Sequence, residues 1–283
     1  ELHGGITMST LAVAKKDFQD ALRSKALWAL SIVFILLSLL IAYAFAEVDL
    51  GVGEQTPEGL AYFLASQMTL FVSVTAIVVA YKAIAGERES GSIKILLSLP
   101  HTRRDVLLGK VLGRSATLTI PILVGLVAGS ALGGVLMGAF APGALAALLV
   151  MSLVFAITYI SIMVGLSALT GSTSRASMLT IGFFLVFEFL WGAVSYGLVW
   201  LTNGFTLPPL SEFPNWVFLV NQVPPSSAFT TGLTALVPGG IPGVSGPDFE
   251  AFYATPWVGF VVLAFWLVVP LAIGYRKFSK ADL

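Results

Sequence analysis

The residues able to do chemistry are few and clustered. Glu87-Arg88-Glu89 and Arg103-Arg104 flank a short leucine-rich stretch, and Glu188 stands alone inside a long uncharged run. Gly165-Leu166-Ser167 has the outline of a serine nucleophile site, and Gly86 and Gly91, followed by Ser92, have that of a phosphate loop. A serine nucleophile needs a general base, and the only histidines, His3 and His101, fall outside the apolar runs. A phosphate loop needs Lys and then Ser or Thr directly after its second glycine. Ser92 occupies the lysine position, so this stretch is not a phosphate loop. Without cysteine there is no disulfide, thiolate ligand or cysteine nucleophile. No metal-ligand spacing is present, and neither a cofactor on this chain nor a nucleic-acid partner is expected.

The elements that must position these residues belong to a membrane protein. Of 283 residues 57% are hydrophobic and 11% charged, too little charge to cover a soluble domain. Uncharged or nearly uncharged runs at 27–46, 62–85, 115–138, 144–170, 177–201 and 256–275 are each long enough to cross a hydrocarbon core of about 30 Å. The expected fold is all-α and polytopic, one domain over 1–283 with six transmembrane helices. Residues 9–25 predict an amphipathic interfacial helix, with Leu11, Phe18 and Leu22 on one face and Lys15, Lys16, Asp17, Asp20, Arg23 and Lys25 on the other. Met8 offers a start, and residues 1–7 read as an extension. Ala44-Phe45-Ala46 resembles a leader-cleavage site, but the run before it is long and further runs follow, so an uncleaved anchor is expected. Gly125, Gly129 and Gly133 form a ladder at i, i+4 and i+8 that lets helices approach closely. Lys82 is expected to snorkel to the interface and Lys110 to anchor there.

Charge sets the orientation. All fifteen Lys and Arg residues lie in the N-terminal helix, the second-to-third connection with its flanks, the turn at Arg175, and the tail. The first connection carries Glu47, Asp49, Glu54 and Glu58, and the fifth carries Glu212, Asp248 and Glu250. Basic segments stay cytoplasmic, so six spans put both termini inside a cell membrane.

The second-to-third connection, 86–114, is the most informative stretch. Ser92 can cap a short helix carrying Ile93, Leu96, Leu97 and Leu99, which Pro100 ends. Thr102 and Asp105 make a capping-box pattern that starts a new helix near 103. Here the sequence resembles the ABC-2 type permeases, the membrane subunits of a class of ABC transporters. The match lies in the 86–91 turn, the leucine-rich 96–100 helix ending in proline, Arg103-Arg104, and Gly109-Lys110. Within that family it is most similar to drug-exporter-like permeases and to those associated with copper-site maturation of nitrous oxide reductase.

The resemblance implies a permease that pairs with a second permease subunit and with ATP-binding subunits carrying ATP-Mg, most simply as an exporter. It implies that Glu87, Arg88, Glu89, Gly91, Ser92, Leu96, Arg103 and Arg104 couple to the ATPase. It also implies re-entrant segments in the extracytoplasmic 203–255 connection, where Trp216, Val217, Phe218, Leu219 and Val220 and the run 228–236 can form short helices broken at Pro224-Pro225-Ser226. Other readings stay open. Residues 87–89 can be a solvated charge run, and Arg103 and Arg104 can serve topology alone. Glu188 can serve a substrate path or subunit interface, or be hydrogen-bonded by a Ser, Thr or Tyr of a neighbouring span. Phe183, Phe184, Phe187, Phe189 and Trp191 read as packing or lipid-facing surface. The rival functions are an ion- or proton-coupled secondary transporter and a scaffold that transports nothing.

Overall fold

The structure, a computed structural model, describes residues 2–23, 25–48, 55–98, 102–244 and 251–281, and these hold helices and no β-strand. The expectations resting on Asp49, Glu54, Leu99, Pro100, His101, Asp248 and Glu250 lie outside the described residues. Among the described residues six helices are long and apolar enough to cross a membrane: Leu27–Glu47, Pro57–Glu89, Arg103–Met137, Pro142–Ala168, Thr173–Thr202 and Val258–Ser279. The chain is a multi-pass membrane protein.

The first helix, α1 (Leu2–Leu22), precedes the first span, α2 (Lys25–Glu47). The second span is α3 (Pro57–Ala80), started by Thr56, whose hydroxyl accepts from Gly59 N at 3.1 Å. It breaks at residues 81–84 and resumes as α4 (Ala85–Glu89), followed by α5 (Ser92–Ser98). Gly91 sits between them at φ +75, a left-handed conformation that a Cβ disfavours. Next comes α6 (Arg103–Met137), whose 35 residues extend about 50 Å, well past the hydrocarbon core. Its start is the capping box that the Thr102/Asp105 spacing predicts. Thr102 Oγ1 accepts from Asp105 N at 3.1 Å, and Asp105 Oδ2 accepts from Thr102 N at 3.0 Å.

The fourth span, α7 (Pro142–Ala168), is the axis of the fold. In its most apolar window 72% of residues are buried, against 22% for the first and sixth spans and 6% for the fifth. It packs on α3 and α6 and also on the sixth span, α12 (Val258–Ser279). At Gly165 an added Cβ would stand 2.6 Å from the Pro270 backbone, so the α7–α12 seam closes only around a glycine. The ladder in α6 does the same toward α2 and α3: Cβ atoms at Gly125 and Gly129 would meet Phe34 O at 2.9 Å and Ser38 O at 2.8 Å on α2, and one at Gly133 would meet Leu60 on α3. Lipid gives helices no hydrophobic reason to associate, so such close backbone packing holds them together.

The fifth span departs from the single uninterrupted helix expected over 177–201. It is α8 (Thr173–Phe184), a π-helical segment Leu185–Leu190, and α9 (Trp191–Thr202). Two short helices follow, α10 (Trp216–Asn221) and α11 (Pro225–Leu236). The second begins earlier than 228, because Pro225 at its first turn suits a helix start that needs no N–H there. Ala228, Phe229, Gly232 and Leu233 bury α11 against α3, α7 and α12, and Phe229 stacks on Phe155 at 4.6 Å.

Candidate functional site

The basic segments meet at one end of the bundle, where the 87–89 run contacts α6, the Gly171 turn and the start of α8. The break at 81–84 comes first. Ser167 Oγ donates to Tyr81 O at 2.7 Å and accepts from Ile84 N and Ala85 N at 3.2 and 3.1 Å. This one hydroxyl satisfies backbone groups freed where α3 ends and pins the break to α7. Ser167 is 0% exposed, so the Gly165-Leu166-Ser167 outline is a structural staple and no nucleophile.

Directly beyond the staple, Glu87 enters a charge network. Lys110 Nζ lies 2.6 Å from Glu87 Oε1 and 2.9 Å from Asp17 Oδ1. Arg114 Nε lies 2.7 Å from Asp17 Oδ2, and its guanidinium also donates to Val79 O at 2.7 Å. Two carboxylates and two cations thus balance, with side-chain exposures of 5% for Asp17, 10% for Lys110, 25% for Glu87 and 29% for Arg114. Buried charges persist only when paired and hydrogen-bonded in this way. The network corrects two expectations. Asp17 is not on a solvated face of the N-terminal helix: with Val13 and Ala14 it is buried against α6, while Leu11 and Leu22 face outward. Lys110 is not an interfacial anchor but the centre of the network. Thr10 Oγ1 adds a bond to Asp105 Oδ1 at 2.7 Å, so α1 is fastened to α6 at two levels.

Arg88 and Glu89 turn elsewhere. The Arg88 guanidinium packs beside Gly171, at the turn between the fourth and fifth spans. The Glu89 carboxylate accepts from the Thr173 hydroxyl and from Thr173 N, the latter at 3.3 Å. Ser172, at the N-cap position of α8, makes no side-chain cap bond. Glu89 supplies that cap from outside, with a charge that the positive end of the helix favours. Each of the three residues therefore touches a different neighbour, which a solvated charge run would not do.

The α5 helix presents two faces. Ile93 is buried, Leu96 and Leu97 pack on the core, and Ser92, Lys94 and Ser98 face outward. Ser92 Oγ reaches Ser90 Oγ at 3.0 Å, tightening the Gly91 turn. Arg103 and Arg104, adjacent in sequence, diverge. Arg103 donates to Phe278 O, Ser279 O and Ala281 O at 2.6, 2.8 and 2.9 Å and lies over the Phe278 ring. It thereby caps the sixth span with a cation, which satisfies carbonyls and opposes the negative helix end. Arg104 is exposed.

Glu188 lies in the π-helical segment, half-buried. Its Oε1 accepts from the Tyr159 hydroxyl, Ser73 Oγ is 3.3 Å away, and the Ser226 hydroxyl also bonds the carboxyl. The second, fourth and fifth spans and α11 therefore converge on one carboxyl group. The π segment, which sequence gave no sign of, adds a residue to the turn and re-aims the side chains around it. Of the aromatic run, Phe183, Phe187 and Trp191 form a cluster with Trp266 of α12, while Phe189 is 59% exposed.

Comparison with known proteins gives a consistent result. The sequence profile of a family described as "ABC-2 family transporter protein" matches residues 11–283. A protein of Pseudomonas aeruginosa described as "Probable ABC transporter permease protein NosY" is 29% identical over 280 residues, covering 95% of this chain and 97% of that one. A protein of the same description from Stutzerimonas stutzeri is 29% identical over 283 residues, with the same coverage.

Proposed function

The chain belongs to the ABC-2 transporter family, and from that membership we propose that it is the permease subunit of an exporter driven by a separate ATP-binding subunit. In this reading the basic end is cytoplasmic, both termini lie inside the cell membrane, and ATP-Mg is held by the partner. The outward face of α5, with Ser92 and Lys94, and the turn at Gly91 meet the ATPase. Closure of the ATPase pair pushes 86–98, and the push is shared among the helices that the 87–89 run holds.

The observation that carries this reading is the threefold division of that run. Glu87 binds α6 and, through Lys110, α1; Arg88 abuts the Gly171 turn; Glu89 caps the fifth span. A displacement of α4 must therefore strain contacts with several helices at once. Ser167 holds the break above α4 to the most buried span, which supplies the fixed point. Arg103 takes part by tying the start of α6 to the end of α12, not by touching the partner. The bare fifth span is the surface on which a second permease subunit packs, because one copy covers so little of it. The α11 helix, buried among spans with a proline start, fits a re-entrant segment.

Glu188 favours one second reading, an ion- or proton-coupled secondary transporter, since an ionisable residue in a span marks a path by default. One experiment separates the two. The chain is purified with a candidate ATP-binding subunit and reconstituted in vesicles. A complex whose ATP hydrolysis drives solute movement, and whose coupling falls with Glu87→Gln, supports the permease reading. Movement along an ion gradient by the chain alone, without ATP, overturns it.

A further inference from the structure

Arg104 follows Arg103 by one residue and so projects about 100° away around α6. While Arg103 is occupied by the end of α12, Arg104 opens on a groove of about 460 Å³ between α6 and α12. Leu107, Val111, Leu267 and Leu271 make its walls, which run along the spans inside the bilayer. Tyr275 joins Arg104 in the lining, one residue before the cationic last turn of α12. Among the described residues no acidic side chain lines the groove, and neighbouring Asp105 is turned to Thr102 and Thr10. Ser161 also lines it, is 0% exposed, and carries a hydroxyl without a hydrogen-bond partner among the described residues. A buried hydroxyl left unpaired is disfavoured.

An apolar channel along the spans, a cation with a phenol, and one unpaired donor on the wall are the complement of a glycerophospholipid. We propose that this groove holds an anionic phospholipid of the leaflet at the basic end, its phosphate on Arg104, an acyl chain along the leucines, and an ester carbonyl for Ser161. The preference for an anionic head follows from Arg104, the one cation in the lining, with no carboxylate beside it there among the described residues. This lipid is a bound component and not cargo, and the proposal holds whether or not the transport reading does.

The test uses the full chain reconstituted in vesicles of equal parts phosphatidylcholine and phosphatidylglycerol, extracted gently and weighed with its retained lipid by native mass spectrometry. The wild type retains phosphatidylglycerol in preference. Arg104→Gln lowers that retention about fivefold, the scale of one lost cation–headgroup contact. Ala272→Trp, which fills the groove from α12, removes the lipid altogether, and Lys16→Gln, exposed on α1, changes nothing. Equal retention of the two lipids by the wild type overturns the proposal. So does an Arg104→Gln chain that holds as much phosphatidylglycerol as Lys16→Gln. Displacement of the lipid by inorganic phosphate would mean a site for a free anion, and the proposal fails on that outcome as well.

Discussion

Asp17 and Glu87 share one ammonium group: Lys110 Nζ is 2.9 Å from the first and 2.6 Å from the second. The N-terminal helix and the connection after the second span are thus held through a single residue of the third. Asp17 has a second cation, Arg114, 2.7 Å away on its other side, whereas the Glu87 ion pair is with Lys110.

Lys110→Met should therefore be severe. It leaves Glu87 without its counter-ion and Asp17 with Arg114 alone, and removing one partner of a buried pair costs about 3–5 kcal/mol. Thermal unfolding in detergent reads the loss. Adding Glu87→Gln to the same chain should recover most of it, because the orphaned carboxylate is gone while Asp17 keeps Arg114. A single substitution that melts like the wild type would contradict the network.

Glu89→Ala should act locally. The first turn of α8 loses its outside cap, worth about 0.5–2 kcal/mol by comparison with ordinary N-caps. Amide hydrogen exchange at Thr173 and the residues after it should quicken, with little change in the melting of the whole. In the transport assay, hydrolysis should continue while solute movement falls. Unaltered exchange at Thr173 would separate Glu89 from the fifth span.

Glu188→Gln keeps the shape and an acceptor for Tyr159 while removing the ionisable group. Expression and folding should be spared and transport impaired. Unchanged transport in reconstituted vesicles would remove this residue from the mechanism.

Gly129→Val should open the α2–α6 seam, since a Cβ there would lie 2.8 Å from Ser38 O. Overpacking of this kind costs about 1–3 kcal/mol. Gly192→Val, where a Cβ meets nothing within 4 Å, is the matched control and should melt as the wild type does. Equal losses at the two positions would mean that the seam tolerates separation.

Much of this was legible in advance, for identifiable reasons. Long apolar runs can only be spans, and the Thr102/Asp105 pair can hardly avoid starting a helix, so the six-helix plan and the entry to α6 follow from composition and spacing. Glu87, Arg88 and Glu89 stand out as charges between apolar segments, but their partners do not. Asp17, Lys110 and Thr173 are distant in sequence, and no local rule pairs them. Asp17 misled because helix periodicity assigns an acid to the polar face unless a cation waits on another helix. Arg103 and Arg104 look equivalent as a dipeptide, and only the end of α12 tells them apart. The π-helical segment had no signal at all, since its composition is that of any span.

That segment has a consequence for insertions and deletions. One extra residue in a turn offsets everything after it by about 100° of helical phase. Trp191 and Ser195, beyond the offset, meet Val220 O at 2.7 Å and Asn221 Oδ1 at 2.6 Å. Losing a single residue between 185 and 190 would leave a perfectly good helix of nearly the same length, yet one whose outer half points the wrong way. A gap that looks harmless in that stretch would undock α10 without touching it.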